Sequence, residues 1–133
     1  MAKHTYKPTM DDLARATADL EVALEGVPPR IQMQLMVAAD EIFANIVRYS
    51  QATAWSFEVV VAESPRTVTI VFEDDGVAFD PLEVRDPDTS LSAADRAVGG
   101  LGILIVKKTM SPVTYARRDG HNVLTLGKTI EGE

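Results

Sequence analysis

Hydrophobic and polar residues recur along this chain with two periods, and these periods divide it into helices and strands. The helical period predicts one α-helix from Met10 to Glu25 and a second from Pro29 to Ser50. Thr9 and Asp12 form a capping-box pattern at the start of the first helix, and Gly26 marks its end. We therefore expect two helices in succession with a short break between them.

Most of the remaining apolar segments have the length and composition of β-strands. The predicted strands are Thr5 to Pro8, Ala54 to Ala62, Thr67 to Phe72, Val113 to Arg117 and Asn122 to Lys128. Asp119-Gly120 is a hairpin turn between the last two, Asp74 to Gly99 is expected to be mostly loop, and a third helix should run from about Gly102 to Met110. The order β-α-α-β-β-loop-α-β-β predicts an α+β domain built in layers.

The second predicted helix has two distinct faces. Its apolar residues fall in one sector and form a core stripe: Ile31, Leu35, Ala39, Ile42, Ile46 and Tyr49. A polar stripe lies beside it, formed by Gln34, Glu41, Asn45 and Arg48. On spacing alone the polar stripe is either an ordinary solvated surface, which is the usual case, or one wall of a site.

Composition and charge narrow the functional classes. The chain has 133 residues, 46% of them hydrophobic and 25% charged, so we expect one soluble domain over residues 1–133. The absence of cysteine excludes disulfides and thiolate metal sites. No apolar run of membrane-spanning length and no secretory signal is visible, so we expect a cytoplasmic protein without a membrane partner. The net charge of −7 disfavours nucleic acid, and a phosphate ligand must therefore be held by local groups.

Two loops carry candidate chemistry, and the first follows a predicted strand. It contains Asp74-x-Gly76, in which Gly76 allows a tight turn while the Asp74 carboxylate points into a pocket. A carboxylate only accepts hydrogen bonds, so it suits an amino group such as the exocyclic amine of adenine. The alternative is a plain acidic turn, for which Asp-Gly is a common signal.

The second loop places Gly99, Gly100 and Gly102 before an apolar helical run. Glycines allow the backbone to approach a phosphate closely, and a helix N-terminus supplies free N–H donors; the alternative is a hinge before a buried helix. A different phosphate motif is excluded: Gly127-Lys128-Thr129 resembles the end of a P-loop, but the earlier glycine that a P-loop requires is Asn122 here.

Three elements therefore occur in order along the chain. They are Glu41-x-x-x-Asn45 on a helix, Asp74-x-Gly76-x-x-Phe79-Asp80 after a strand, and Gly99-Gly100-x-Gly102 before a helix. Together they resemble the N, G1 and G2 boxes of the GHKL (Bergerat-fold) ATPase superfamily, and the chain is similar to the stand-alone anti-sigma-factor serine kinases of bacteria. The resemblance extends from the first helix to the closing hairpin. It implies the Bergerat ATP-binding fold: a two-layer α/β sandwich with a mixed, mostly antiparallel sheet and helices on one face.

The resemblance also implies a role for each box. Asn45 would coordinate Mg²⁺ that bridges the ATP phosphates, and Glu41 would be the general base toward the attacking hydroxyl. Asp74 would bind the adenine amine, with Gly76 shaping that wall and Phe79 of the same box among the binding residues.

In the last box, Gly99, Gly100 and Gly102 are the phosphate-binding glycines, and the segment from Leu82 to Val98 would form a lid. Arg48 and Arg96 either offset the developing negative charge or are solvated surface residues.

The chain departs from the family pattern at several positions. Ala78 stands where the G1 box often has a second glycine, and Ser111 stands where many members have Asp after the third helix. His121 and Asn122 occupy the positions where related members often carry Thr. We expect Asn122 to hydrogen-bond near the adenine, and His121 to be a turn residue.

The resulting prediction is a Mg-ATP-dependent serine kinase. Its substrate would be a STAS-type anti-anti-sigma protein, its second partner a sigma factor, and the resemblance suggests a homodimer. Two alternatives stay open: a nucleotide-gated binding protein without kinase activity, and an ATP hydrolase in which water replaces serine. Glu41 favours catalysis over pure binding, because binding alone needs no base.

Overall fold

The computed structural model describes residues 4–63, 66–83 and 100–130. Within these ranges the chain forms three α-helices, five β-strands and one short 3₁₀ turn. In chain order they are β1 (His4–Tyr6), α1 (Met10–Ala23), α2 (Pro29–Tyr49), β2 (Trp55–Ala62), β3 (Thr67–Asp74), the 3₁₀ turn (Pro81–Glu83), α3 (Gly100–Thr109), β4 (Val113–Arg118) and β5 (His121–Thr129). The predicted order of elements is confirmed, and each boundary lies within two residues of its predicted place.

The strands form one sheet in the order β1-β2-β3-β5-β4. In place of the mixed sheet that the resemblance implied, every pairing among the described strands is antiparallel. The reason is that β2–β3 and β4–β5 are hairpins, and the two hairpins join with β3 antiparallel to β5. The α+β sandwich itself is confirmed.

One face of the sheet packs against the helices. Along β3 every second residue is buried, ending at Phe72 and Asp74, because side chains alternate between the two faces of a strand. Phe43 of α2 inserts into this face, with its ring centroid 5.1 Å from that of Trp55 and 5.6 Å from that of Phe72. Buried residues of α1 such as Leu20 belong to the same cluster. The C-terminal half of α2 is thereby fixed above the end of β3.

The start of α1 follows its predicted cap in part. The Thr9 hydroxyl accepts a hydrogen bond from the Asp12 backbone N–H at 3.1 Å, as a capping box requires. The Asp12 carboxylate, however, accepts from the backbone N–H of Lys7 at 2.6 Å rather than from Thr9. In the part of the chain that the structure describes, no helix is long and apolar enough to cross a bilayer.

Candidate functional site

A cavity of about 140 Å³ lies between the C-terminal half of α2 and the end of the sheet where β3 meets β5. This volume is roughly ten times the space that one ordered water requires, so the cavity can admit a small planar group. Its walls are largely apolar and include Ile42, Ile46, Phe72, Val77, Ala78 and Leu124. Polar side chains interrupt them, among them Asn45, Asp74 and Asn122. An apolar cleft with a few convergent polar groups is typical of a small-molecule site.

Asp74 and Asn122 meet because they are directly opposite each other in the β3–β5 register. Asp74 is only 7% exposed, and its Oδ1 accepts hydrogen bonds from the Gly76 backbone N–H at 2.9 Å and from Asn122 Nδ2 at 3.0 Å. Among the described residues nothing donates to its second oxygen, Oδ2. Asp74 therefore presents one acceptor to a ligand while its other oxygen is held by the protein.

Gly76 is needed for a close approach between the loop after β3 and the end of α2. A Cβ at this position would lie 2.2 Å from the carbonyl oxygen of Ser50, which is backbone and cannot swing away. The same Ser50 oxygen accepts a hydrogen bond from the Val77 backbone N–H at 2.8 Å. The φ angle of Gly76 is not in the left-handed region, since the positive φ angles of the described glycines are at Gly26 and Gly120. The glycine is required by contact, not by its dihedral angles.

Asp75 ties the same loop to the segment after α2. Its carboxylate accepts hydrogen bonds from the Thr53 backbone N–H at 2.7 Å, from the Thr53 hydroxyl, and from the Ala54 backbone N–H at 3.2 Å. These donors, the Thr53 hydroxyl first, lower the pKa of Asp75 below that of an ordinary aspartate. The two acidic residues of the loop thus differ in function: Asp75 anchors the loop, and Asp74 faces the cavity.

Asn122 connects three parts of the loop. Its Nδ2 donates to Asp74 Oδ1 and to the Val77 carbonyl at 2.7 Å, and its Oδ1 accepts from the Phe79 backbone N–H at 3.2 Å and from the Tyr115 hydroxyl. Nearby, Arg117 donates to the Gly76 carbonyl at 2.8 Å. The wall of the cavity formed by residues 74–80 is therefore held from α2 on one side and from the closing hairpin on the other.

Glu41 lies one helical turn before Asn45 on α2. Burial raises the pKa of Glu41, whereas a hydrogen bond from the Asn45 side chain and the charge of Arg48 lower it by less. Its Oε2 is buried and has no hydrogen-bond partner among the described residues, and the same holds for Gln34 Oε1. A buried carboxylate oxygen without a partner is unusual in a structural role. Its environment makes Glu41 a better proton acceptor than an exposed glutamate.

The structure brings five of the predicted site residues to the cavity wall or its supporting loop: Asn45, Asp74, Gly76, Phe79 and Asn122. Arg48 is exposed in the last turn of α2. Gly100 is the first residue of α3, two residues before the predicted start, and Gly102 lies in its first turn. Arg96, Gly99 and lid residues 84–98 lie outside the described residues.

Other residues at the site were missed or misassigned from sequence. Tyr49 was predicted in the core stripe of α2, but it is 53% exposed and lines the cavity, because the last turn of α2 extends beyond the sheet-facing core. Ser50 and Tyr115 also line the cavity. The alternation of apolar and polar residues in the closing hairpin could have indicated Tyr115, because Tyr115 lies opposite the buried Leu124 in the β4–β5 register. Ser50 had no such signal, since its nearest approach to Gly76 is made by its backbone carbonyl oxygen.

The excluded P-loop pattern, Gly127-Lys128-Thr129, lies within β5. A Cβ at Gly127 would be 2.7 Å from Pro112 Cδ, and its backbone exchanges hydrogen bonds with Ser111 and Pro112. This glycine is required for packing against the turn before β4, so its exclusion as a phosphate loop is confirmed.

Residues 6–128 match the family model of the histidine kinase-like ATPase domain. The chain is also 31% identical over 99 residues to the serine/threonine-protein kinase BtrW of Bordetella bronchiseptica. That alignment covers 73% of this chain and 70% of the relative. The matched range of the family model contains the cavity and the described elements from the end of β1 to the penultimate residue of β5.

Proposed function

This chain belongs to the histidine kinase-like ATPase family and, within the GHKL superfamily, to the anti-sigma-factor kinases, and from that membership we propose that it is a Mg-ATP-dependent serine kinase. The observation that favours catalysis over simple binding is the buried Oε2 of Glu41 beside Asn45, which has no hydrogen-bond partner within the described part of the chain. A binding protein needs no poised base, whereas a phosphotransferase that activates a hydroxyl does.

The adenine base fits the cavity by shape and by hydrogen-bonding character. The cavity walls are apolar, and Asp74 Oδ2 is an acceptor without a partner among the described residues. The exocyclic amine of adenine is a donor that this oxygen can accept. Phe79 and Val77 are 45% and 48% exposed beside the cavity, so binding of the base would cover apolar surface that now faces solvent.

Magnesium fits the site through Asn45. An amide oxygen is a hard ligand of the kind that Mg²⁺ accepts, and this ion is commonly held by one or two protein oxygens together with substrate phosphates. Bound there, the ion would neutralise negative charge on the phosphates.

Glu41 is the proposed base for the transfer step. The substrate serine oxygen attacks the γ-phosphorus, and its bond to phosphorus forms as the bond from phosphorus to the ADP oxygen breaks. The serine proton passes to the Glu41 carboxylate, and ADP leaves with the electron pair of the broken bond. Because burial raises the pKa of Glu41, its carboxylate accepts this proton more readily than an exposed one would. Arg48, exposed two turns from Glu41, is a candidate to offset charge near the phosphates.

The proposed substrate is a serine on a STAS-type anti-anti-sigma protein, and the second proposed partner is a sigma factor. Phosphorylation adds about two negative charges to that serine, and this change would separate the kinase from its antagonist. We also propose a homodimer that acts in the cytoplasm, where ATP is available. The family membership and the relative named as a kinase support these assignments.

A phosphotransfer assay tests the proposal. The purified protein is incubated with Mg²⁺, γ-labelled ATP and a panel of purified STAS-domain proteins, alongside Glu41→Gln and Asp74→Asn. We expect label on a serine of one STAS protein, no transfer by Glu41→Gln despite normal ATP binding, and loss of ATP binding by Asp74→Asn. Steady phosphate release without a protein acceptor would instead identify an ATP hydrolase. ATP-dependent association with a STAS protein without any transfer would identify a nucleotide-gated binding protein.

A further inference from the structure

We propose that Asn122 is a positioning residue that determines which purine base the cavity accepts, by fixing Asp74 so that a single carboxylate oxygen faces the ligand. This inference rests on the proposed function, because it takes ATP as the ligand. It assigns to Asn122 a role different from the direct contact with adenine that its sequence position suggests. This role follows from the hydrogen bonds that its amide makes.

The Asn122 side chain has no hydrogen-bonding capacity left for a ligand. An amide offers two N–H donors and an oxygen with two lone pairs. Both donors are used, on Asp74 Oδ1 and the Val77 carbonyl, and both lone pairs are used, by the Phe79 N–H and the Tyr115 hydroxyl. Asn122 is also buried, with only 6% of its surface exposed.

These partners also fix which way the amide points. In the reversed orientation the amide oxygen would face a carboxylate and a carbonyl, and the NH₂ group would face the Phe79 N–H. That arrangement opposes acceptor to acceptor twice. The observed orientation is therefore the one that delivers an N–H to Asp74, and it cannot be exchanged without losing several hydrogen bonds at once.

As a consequence, the two oxygens of the Asp74 carboxylate have different hydrogen-bonding states. Oδ1 receives two donors, from Asn122 and from the Gly76 backbone, so rotation of the carboxylate would break both bonds. Asp74 lines the cavity, and Oδ2 is its oxygen without a donor among the described residues. An acceptor favours a base with a 6-amino group and opposes one with a 6-oxo group, because two acceptors would then face each other.

The side-chain type matters as much as the position. A serine or threonine at this position would have a single hydroxyl hydrogen to donate. It could serve Asp74 or the Val77 carbonyl, but not both. With Asn122, the same side chain that orients Asp74 also holds the loop at Val77 and Phe79, so base recognition and loop position are joined through one residue.

The test compares ATP with inosine triphosphate, which carries a 6-oxo group where ATP has a 6-amino group. Dissociation constants for both are measured by calorimetry at neutral pH for the wild type, Asn122→Asp and Asn122→Ser, with thermal melting to confirm folding. Val123→Ala is the matched control, because Val123 lies on the same strand but outside the cavity lining. It reports any general effect of weakening β5.

We expect the wild type to prefer ATP and Val123→Ala to keep the same ratio of constants. Asn122→Asp replaces the amide that donates to Asp74 by a second carboxylate, so Asp74 Oδ1 keeps only the Gly76 N–H and the carboxylate is no longer fixed toward the ligand. The ATP preference should then fall about tenfold or more. Asn122→Ser keeps one donor and should lose part of the preference for ATP over inosine triphosphate. If Asn122→Asp does not fold, the ratio of dissociation constants for Asn122→Ser tests the positioning role.

The preference measured in folded variants decides the inference. A wild-type ratio of constants in a folded Asn122 variant would overturn the positioning role while leaving the proposed function standing. A folded wild-type protein that binds neither nucleotide would overturn the proposed function, and this inference with it.

Discussion

The close approach of Gly76 to Ser50 gives a sharp prediction for Gly76→Ala. The added methyl carbon would lie 2.2 Å from the Ser50 carbonyl oxygen and 2.8 Å from the Ser50 carbonyl carbon, whereas ordinary contacts begin at 3.4 Å. The two backbone segments must therefore separate by about 1 Å, an overpacking strain of the kind that costs roughly 1–3 kcal/mol. Separation also breaks the hydrogen bond from Val77 to Ser50, which adds about 0.5–1.5 kcal/mol.

We expect Gly76→Ala to lose about 2–4 kcal/mol of unfolding free energy, measured by urea denaturation. The displaced loop also carries the Gly76 N–H that donates to Asp74, so ATP affinity should fall at least tenfold in calorimetry. Gly26→Ala is the control: Gly26 has a φ of 89° with open space around it and lies at the end of α1, away from the cavity. That variant should lose about 1–2 kcal/mol from left-handed strain and keep its ATP affinity. If Gly76→Ala unfolds at the wild-type urea midpoint and binds ATP as tightly as the wild type, the contact is not a constraint on this site.

Three further variants test other parts of the structure. Because burial raises the pKa of Glu41, the folded state binds the carboxyl proton more tightly than the unfolded state does. Wild-type stability should therefore fall as pH rises from the ordinary carboxyl pKa through the raised one. Glu41→Gln should flatten this part of the plot of urea midpoint against pH, and identical plots for the two proteins would contradict the prediction. The Thr53 hydroxyl lowers the pKa of Asp75, so the Asp75 carboxylate stabilises the fold above its unfolded pKa and loses this effect as pH falls through the lowered pKa. Asp75→Asn should therefore be less stable than the wild type at neutral pH but not in acid. If the variant is also less stable in acid, the charge of Asp75 is not the source of the stabilisation. Phe43→Ala should lose about 3–5 kcal/mol in urea denaturation, and a loss below about 1 kcal/mol would show that its ring is not a central core contact.

The elements and residues that sequence predicted well are those set by local spacing. Glu41 and Asn45 are one helical turn apart, so the helical period alone places them on one side of α2. The Asp119-Gly120 turn follows from two residues that tolerate the left-handed region, and both have positive φ. The buried side of β3 follows from alternation.

What sequence could not provide are contacts between distant segments. Asp74 was predicted as an acceptor facing a pocket, but its donor Asn122 is 48 residues away and meets it only through the β3–β5 register. Gly76 was predicted to allow a tight turn, but its close contact with Ser50 at the end of α2 could not be predicted from the local sequence. Tyr49 continues the apolar period of α2, yet the period cannot indicate where the sheet beneath the helix ends.

The pairing of Asp74 with Asn122 also determines when during its synthesis the protein can acquire a complete cavity. Eight of the nine described elements precede β5, and α2 with the β2–β3 hairpin contains most of the buried aromatic residues. While β5 is still inside the ribosome, the emerged part of the chain lacks Asn122 and Leu124, and β3 has no strand to pair with on its β5 side. Since domains assemble as the polypeptide emerges, nucleotide should not bind until the final hairpin has closed. Nucleotide capture by stalled ribosome complexes would thus mark the last step of folding of this domain.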